Sequence, residues 1–229
     1  MIVWLRPLAM LLALAALLML ALSGPGVRFD VWSYRTGLTV FRWTAYVAIA
    51  AALVAAIALA IPKVRARGLV LPMVALLVGL AVLYVPLRFL QSARAVPPIN
   101  DITTDTDNPP RYMTAARAYP GAEFARQQRA AYPDIAPMLL AVPPRDAFAK
   151  AVAAAEAMGW EVVGRDAAAG TIEAVDTTKW FGFKDDIAVR VTPTLEGGSR
   201  IDIRSKSRVG RSDIGTNARR IRAYAERLK

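Results

Sequence analysis

The chain has 229 residues, 55% of them hydrophobic, and a formal net charge of +11 at pH 7. It contains no cysteine and no histidine, which excludes disulfide bonds, thiolate or imidazole metal ligands, and catalysis by either side chain. The first 96 residues hold nine basic residues and one acidic residue, whereas the remainder holds 20 and 17. Because the basic excess lies beside apolar runs and no nucleic-acid motif accompanies it, we expect membrane lipids as partners and no nucleic acid.

Three runs without a charged residue mark the first part of the chain, namely Pro7–Val27, Trp43–Pro62 and Gly68–Leu87. About 20 apolar residues at 1.5 Å per residue cross a hydrocarbon core of roughly 30 Å. Residues 1–94 are therefore predicted to form a helical membrane anchor of three transmembrane helices, the third ending near Pro86. The runs contain no Asp, Glu, Lys, Arg or His, which favours an anchor over a transporter.

Two of the runs allow a second interpretation. In the first run, Ala21-Leu22-Ser23 before Gly24 is similar to the cleavage site of a signal peptide. The run is longer than the usual signal core of about 7–15 residues, so we expect this helix to be retained. The second run is rich in alanine, which predicts close packing against its neighbours in the chain or, alternatively, against another membrane protein.

The links between the runs predict an orientation. Lys63, Arg65 and Arg67 crowd the short link between the second and third runs, whereas the longer link before the second run spreads three arginines around Asp30. Because the denser basic cluster favours the cytoplasm, the amino terminus is predicted to be cytoplasmic and the domain that follows the third run extracytoplasmic. In a Gram-negative cell this arrangement corresponds to the inner membrane and a periplasmic domain.

The second half of the chain is predicted to begin with an irregular strap. Residues 95–144 contain nine prolines, each of which restricts itself and the residue before it. We expect one short helix within the strap, from about Gly121 to Ala131. Apart from this short helix, regular structure is expected only after the strap.

Residues 145–229 are predicted to form a small α+β domain. Alternating apolar and polar side chains indicate strands, and apolar side chains three or four residues apart indicate helices. The predicted order is αββββα, with an antiparallel four-stranded sheet and both helices on one face, as in a two-layer sandwich. The predicted elements are the helices Arg145–Met158 and Asp213–Leu228 and the strands Trp160–Val163, Thr171–Asp176, Ile187–Thr192 and Arg200–Arg204.

Four stretches of this half resemble the bacterial domain-of-unknown-function family 1499: Asn100–Asp105, Tyr132–Ile135, Trp180–Asp186 and Ser205–Asn217. The resemblance extends over roughly Pro97–Leu228, and the membrane helices lie outside it. It implies a bacterial protein. The family carries no established activity, so the resemblance implies none for this chain.

The first candidate binding feature is aromatic. Trp180, Phe181 and Phe183 surround Gly182, a pattern typical of a pocket rim or exposed edge that binds a ligand or partner. The alternative is that alternate rings enter the core while the glycine permits a bulge.

The second candidate feature is basic and comprises Arg204, Lys206, Arg208 and Arg211. The first three are predicted to share one face of a strand and its continuation, next to the start of the last helix, whose free N–H groups favour an anion such as a phosphate or lipid headgroup. The alternative is a solvated face, with Ser212, Asp213 and Thr216 as helix caps.

The acidic residues do not predict a metal site. Asp101, Asp105 and Asp107 stand close together but lack the spacing of a calcium loop, so we expect a solvated acidic turn, no metal and no cofactor. Asp185 and Asp186 are adjacent in a strand and are expected to point to opposite faces.

These features lead to two hypotheses. The first is a non-catalytic envelope module that binds a partner protein, or an amphipathic or anionic ligand, as an accessory or scaffold subunit. The alternative is a hydrolase or lipid-modifying enzyme that uses Asp185, Asp186 or Asp213 with an arginine clamp.

Overall fold

The computed structural model describes residues 2–114 and 117–229. Met1 of the predicted anchor and Ala115 and Ala116 of the predicted strap lie outside the described residues. The chain divides into two compact units. The helical unit comprises Met1–Ser92 and Lys179–Gly182, and the sheet unit comprises Ala93–Thr178 and Phe183–Lys229.

Three long helices dominate the helical unit. Its elements are a 3₁₀ turn (Ile2–Trp4), α1 (Leu5–Ser23), α2 (Pro25–Arg28), α3 (Tyr34–Ala60), α4 (Pro62–Arg65) and α5 (Val70–Arg94). Within the described residues, three helical spans are long and apolar enough to cross a membrane: Ile2–Arg28, Tyr34–Ala60 and Val70–Arg94. The prediction of three long apolar helices in this part of the chain is therefore confirmed.

The predicted end of the third helix was wrong. Helix α5 continues through Pro86 to Arg94. A proline inside a helix removes one backbone hydrogen bond, but helices in apolar surroundings tolerate it because neighbouring helices and small local adjustments satisfy the freed groups. Pro86 is itself buried, which is consistent with such support.

Small side chains form the contacts between the three long helices. Gly79 of α5 lies so close to α3 that a methyl group added there would be 3.2 Å from the carbonyl oxygen of Ala48. Close approach of this kind is what small residues permit in membrane helices. The alanine-rich helix α3 thus packs against helices of its own chain. One buried cluster contains Ala9, Ala13, Ala51, Ala55 and Ala75.

The sheet unit is built around one antiparallel sheet. Its strand order is β1-β6-β5-β4-β3, and β2 pairs with the other half of β6. The strands are β1 (Asp101–Thr103), β2 (Met138–Leu140), β3 (Glu161–Asp166), β4 (Thr171–Thr177), β5 (Lys184–Pro193) and β6 (Ser199–Ser207). The helices are α6 (Ala122–Ala131), α7 (Pro144–Ala157) and α8 (Thr216–Arg227).

This topology corrects the predicted αββββα order and four-stranded sheet. The two additional strands, β1 and β2, lie in the segment predicted to be an irregular strap, and both pair with β6. Each contains three residues, too few to show an alternating pattern in the sequence. The short helix predicted within the strap is confirmed as α6.

The apolar core lies on one face of the sheet. Ile187 and Ile203 project from β5 and β6 toward α7 and α8, and all four elements contribute to one buried cluster. The hydroxyl of Tyr224 in α8 donates a hydrogen bond of 2.9 Å to the carbonyl oxygen of Ala151 in α7. Both helices therefore pack on the same face, as predicted, and the opposite face carries mainly polar side chains.

Candidate functional site

Charged side chains occupy the face of the sheet opposite the helices. Successive strand residues point to opposite faces, so Arg204 and Lys206 of β6 lie on the other side from Ile203. In the strand register, Lys206 is opposite Asp101 of β1 and Asp186 of β5. The polar face comprises Asp101, Glu173, Asp186, Arg190, Asp202, Arg204 and Lys206.

The centre of the polar face is an ion pair between Arg204 and Asp101. The guanidinium donates from Nε to Oδ1 over 2.8 Å and from Nη2 to Oδ2 over 2.7 Å, and the two side chains are only 3% and 0% exposed. Lys206 Nζ donates to the same carboxylate over 3.0 Å. Burial lowers the pKa of Arg204, but the hydrogen bonds and charge of Asp101 outweigh this effect and raise the pKa above its ordinary value.

Residues 105–114 and 117–119, called here the covering segment, cross the polar face. The backbone N–H groups of Met113 and Thr114 both donate to the buried carboxylate of Glu173, over 2.5 and 2.8 Å. The hydroxyl of Tyr112 donates to the carbonyl oxygen of Asp186 over 3.2 Å. The charged face is thus largely enclosed by backbone and aromatic rings rather than open to water.

The beginning of the covering segment is fastened by a second ionic network. Asp105 Oδ2 accepts hydrogen bonds from Arg190 over 3.0 Å and from Arg200 over 2.9 Å. Both arginines also bind Asp202, whose side chain is fully buried. The predicted solvated acidic turn is therefore wrong for Asp101 and Asp105, which pair with arginines, because the strands β5 and β6 bring basic side chains beneath them.

Two tyrosine rings lie beside the guanidinium of Arg204. Its central carbon is 4.9 Å from the ring centroid of Tyr112 and 5.5 Å from that of Tyr119, within the range of a cation–π contact. Burial, with a smaller contribution from Asp101, raises the pKa of Tyr119 to about 12. The hydroxyl of Tyr119 therefore keeps its proton at neutral pH, and it is buried without a hydrogen-bond partner among the described residues.

Asp186 holds a second pair of arginines at the edge of this region. Arg208 donates from Nε and Nη2 to Oδ1 over 2.9 and 2.7 Å. Arg117 Nη2 lies 3.0 Å from Oδ2, close enough for an ion pair. Its geometry falls short of a hydrogen bond, since Oδ2 has no hydrogen-bond partner within the described ranges. Arg117 therefore retains donor capacity.

A pocket of about 610 Å³ opens between the covering segment and Arg204. Its lining contains three arginines, Arg111, Arg117 and Arg204, against one acid, Asp107. Of the five N–H groups of Arg204, two bind Asp101, and two more donate to carbonyl oxygens over 3.3 and 3.4 Å. One N–H on Nη1 has no acceptor among the residues that the structure describes. The remaining lining residues are Asn108, Pro109, Tyr112, Ala118 and Tyr119.

The predicted basic residues occupy different positions around this pocket. Arg204 lines it, while Lys206 and Arg208 are engaged with Asp101 and Asp186 beside it. Arg211 is exposed and is not a lining residue. An anion at the start of α8 is not favoured, because Asp213 already accepts hydrogen bonds there from the N–H groups of Gly215 and Asn217, over 2.8 and 2.6 Å.

The predicted aromatic residues are divided between the two units. In the helical unit, the ring of Phe181 lies edge-on to Phe41, 6.1 Å between centroids, and the indole of Trp180 covers Gly24. Phe183 belongs to the sheet unit, where its N–H donates to the hydroxyl of Thr178 over 2.8 Å.

The three acids of the enzyme hypothesis have separate surroundings. Asp185 points toward α8 and binds Arg220 over 2.6 Å, whereas Asp186 points to the polar face, as expected for adjacent strand residues. Asp213 caps α8. Burial raises the pKa of Asp213, and the two backbone hydrogen bonds partly offset that rise.

Sequence reasoning missed most of the pocket. Arg111, Tyr112, Arg117 and Tyr119 were assigned only to an irregular strap. The sequence did contain one usable indication: in this proline-rich segment an arginine is twice followed by a tyrosine one or two residues later. Arginine binds anionic groups, and the ring of a tyrosine can contact a cation such as a guanidinium.

The family model described as "Protein of unknown function (DUF1499)" matches residues 101–228, more than half of the chain. The matched range includes every residue that lines the pocket. No curated protein matches the chain.

Proposed function

We propose that this chain, which belongs to the DUF1499 family, is a non-catalytic, membrane-anchored module that binds an anionic group in the pocket beside Arg204. The observation that carries the proposal is the lining of three arginines against one acid. Arginine presents paired N–H groups that suit carboxylate and phosphate oxygens. The ligand class is therefore a carboxylate or a phosphate.

The charge balance around the pocket supports an anionic ligand. Five basic residues lie in or next to it, against three acidic residues; they are Arg111, Arg117, Arg204, Lys206 and Arg208 against Asp101, Asp107 and Asp186. An anion bound in the pocket partly neutralises this excess of positive charge. Its oxygens also supply acceptors for the remaining N–H of Arg204 and for the buried hydroxyl of Tyr119, whose isolation otherwise carries a desolvation cost.

A thermal unfolding assay tests the proposal on the full-length protein in detergent. Inorganic phosphate and acetate serve as probes, each compared with sodium chloride at equal ionic strength. At a concentration of 100 Kd, a ligand that binds only the folded state adds about 2.7 kcal/mol to the free energy of unfolding. We expect at least one probe to raise the Tm of the wild type but not of Arg111→Gln.

The matched control is Arg126→Gln, which removes an exposed arginine of α6 outside the pocket. This variant is expected to keep the wild-type response. Equal shifts in all three proteins would contradict a site at the pocket, as would the absence of any shift in the wild type.

In this proposal the bound anionic group is part of a partner protein or of an amphipathic ligand. The chain then acts as an accessory or scaffold subunit. A pull-down in gentle detergent, followed by mass spectrometry of proteins and lipids, separates these two sources. Wild-type protein and Arg111→Gln are compared, and the partner is the species recovered with the first and lost with the second.

An enzyme that uses Asp185, Asp186 or Asp213 has less support. Each of these carboxylates has its own partners, and Asp185 and Asp186 lie on opposite faces of the sheet. Two carboxylates that act together as general acid and base must both come within hydrogen-bond reach of one substrate. The described geometry of these three acids does not provide this arrangement.

We also propose that the anchor lies in the inner membrane, with a cytoplasmic amino terminus and a periplasmic sheet unit. The support is the basic link Lys63–Arg67, since such clusters favour the cytoplasm. The chain has no cysteine, so Leu195→Cys at a fully exposed turn introduces a single labelling site. We expect a membrane-impermeant maleimide to label it in intact spheroplasts and to label Arg65→Cys only after lysis. The reverse pattern would refute the orientation.

A further inference from the structure

One end of the helical unit concentrates positive charge. Ala9 and Ala13 of α1 cluster with Ala51 and Ala55 of α3, whereas Ala16 clusters with Ala48. The two helices therefore run antiparallel, and the start of α1 meets the end of α3.

This arrangement brings Arg6 to the link between α3 and α5. The side chain of Arg6 lies over Gly68, where an added methyl group would be 3.2 Å from Nη2. The link also carries Lys63, Arg65 and Arg67, all exposed. We call these four basic residues the basic end.

Among residues 2–96, the basic end has no acidic counterpart near it. Asp30 is the only acidic residue before residue 97, and it lies in the link between α2 and α3, at the opposite end of the helices. Nε of Arg6 is buried and has no hydrogen-bond partner among residues 2–114 and 117–229. A buried donor of a charged group is costly without an acceptor.

Exposed apolar side chains adjoin the basic end. Trp4 is 54% exposed and Val70 is 75% exposed, and both are close in sequence to the basic residues. In a membrane-spanning bundle, such side chains contact acyl chains or the interfacial region. An anion that carries acyl chains therefore fits these surroundings better than a free anion.

We propose that the basic end binds the phosphate of an anionic phospholipid. Arg6 provides the buried Nε donor, and Lys63, Arg65 and Arg67 supply the surrounding positive charge that attracts an anionic headgroup. Gly68 leaves the space in which the Arg6 side chain lies. This site belongs to the helical unit alone and does not depend on the pocket beside Arg204.

The test uses the full-length protein in nanodiscs of phosphatidylcholine, with or without phosphatidylglycerol, and counts retained lipids by native mass spectrometry. We expect the wild type to retain phosphatidylglycerol preferentially. Arg6→Gln should reduce the retained fraction about tenfold, the loss typical of removing one charge-assisted hydrogen bond. Arg65→Gln/Arg67→Gln, which alters only exposed side chains, should weaken the preference without affecting folding.

Arg42→Gln is the matched control, because this exposed arginine is in the first half of α3, away from the link that follows Ala60. It should retain phosphatidylglycerol as the wild type does. Equal retention by Arg6→Gln and wild type would overturn the proposal, and so would an equal loss in Arg42→Gln. Complete displacement of the lipid by inorganic phosphate at matched ionic strength would identify a free-anion site instead and would also overturn it.

Discussion

Arg204 of β6 and Asp101 of β1 form a doubly hydrogen-bonded ion pair that is almost completely buried, with N–O distances of 2.7 and 2.8 Å. The pair joins the three-residue strand β1 to β6. It also places the guanidinium of Arg204 close to the rings of Tyr112 and Tyr119. The same contact therefore stabilises the sheet and positions the charged group of the proposed pocket.

The first prediction concerns the loss of this pair. Asp101→Asn leaves the buried guanidinium of Arg204 without its carboxylate, and breaking a buried ion pair from one side costs about 3–5 kcal/mol. We expect a loss of this size in the free energy of unfolding, measured by denaturant titration of the full-length protein in detergent.

The control for this prediction is Asp134→Asn. Asp134 also accepts two hydrogen bonds from one arginine, Arg222, over 2.6 and 2.8 Å, but both side chains are about half exposed. An exposed pair contributes about 0–1 kcal/mol. Similar losses in the two variants would show that burial of the Asp101 pair does not determine its contribution.

The second prediction concerns pH. Burial raises the pKa of Tyr119 from its ordinary value near 10 to about 12. Because the folded state favours the protonated phenol, this contribution to stability is complete below about pH 10 and is lost as the pH rises through about 12. A spectrophotometric titration of tyrosinate should show a step near pH 12 that is absent from Tyr119→Phe.

The same substitution separates stability from binding. Tyr119→Phe removes a buried hydroxyl that lacks a hydrogen-bond partner among the described residues, and such a group costs about 1–3 kcal/mol. The unliganded variant should therefore be at least as stable as the wild type, while its response to the anionic probe should fall. A variant that loses stability but keeps the full response would contradict this role for the hydroxyl.

The extent to which this architecture was predictable follows from element length. Strands β5 and β6 could be predicted because Ile187, Val189, Ile201 and Ile203 alternate with small or polar residues, which is the signature of a strand buried on one face. Strands β1 and β2 could not, since three residues show no periodicity and their conformation depends on pairing with β6.

The candidate site was predictable only on one side. Alternation along β6 indicated that Arg204 and Lys206 share a face, but it carried no information about the residues on the opposite side of the pocket. Tyr112 and Tyr119 contact residues that are between 74 and 92 positions away in the sequence. Such long-range contacts leave no local pattern in the sequence.

The third prediction concerns the helical unit. A side chain at Gly24 would overlap the indole of Trp180, so Gly24→Val should lower the Tm. Overfilling a packed site typically costs about 1–3 kcal/mol. Combining it with Trp180→Ala removes the obstructing ring, and the double variant should be more stable than the two separate losses predict. Additive losses would mean that the two residues do not contact each other.

The fourth prediction compares two glycines with similar backbone conformations. Gly170 in the turn between β3 and β4 and Gly197 in the turn between β5 and β6 have φ angles of +65° and +82°. Alanine at either position adopts a left-handed conformation that costs about 1–2 kcal/mol. At Gly170 the added methyl group also overlaps the backbone oxygen of Val191, whereas nothing lies within 4 Å of it at Gly197.

Gly170→Ala should therefore be less stable than Gly197→Ala by a further ~1–3 kcal/mol, the usual cost of forced overpacking. The carbonyl of Gly170 accepts a hydrogen bond of 2.7 Å from the N–H of Val191, so the turn cannot retreat without weakening a contact to the central strand β5. Denaturant titration of the two variants measures the difference directly. Since the conformational cost is shared, equal losses would show that the turn relaxes around the new methyl group.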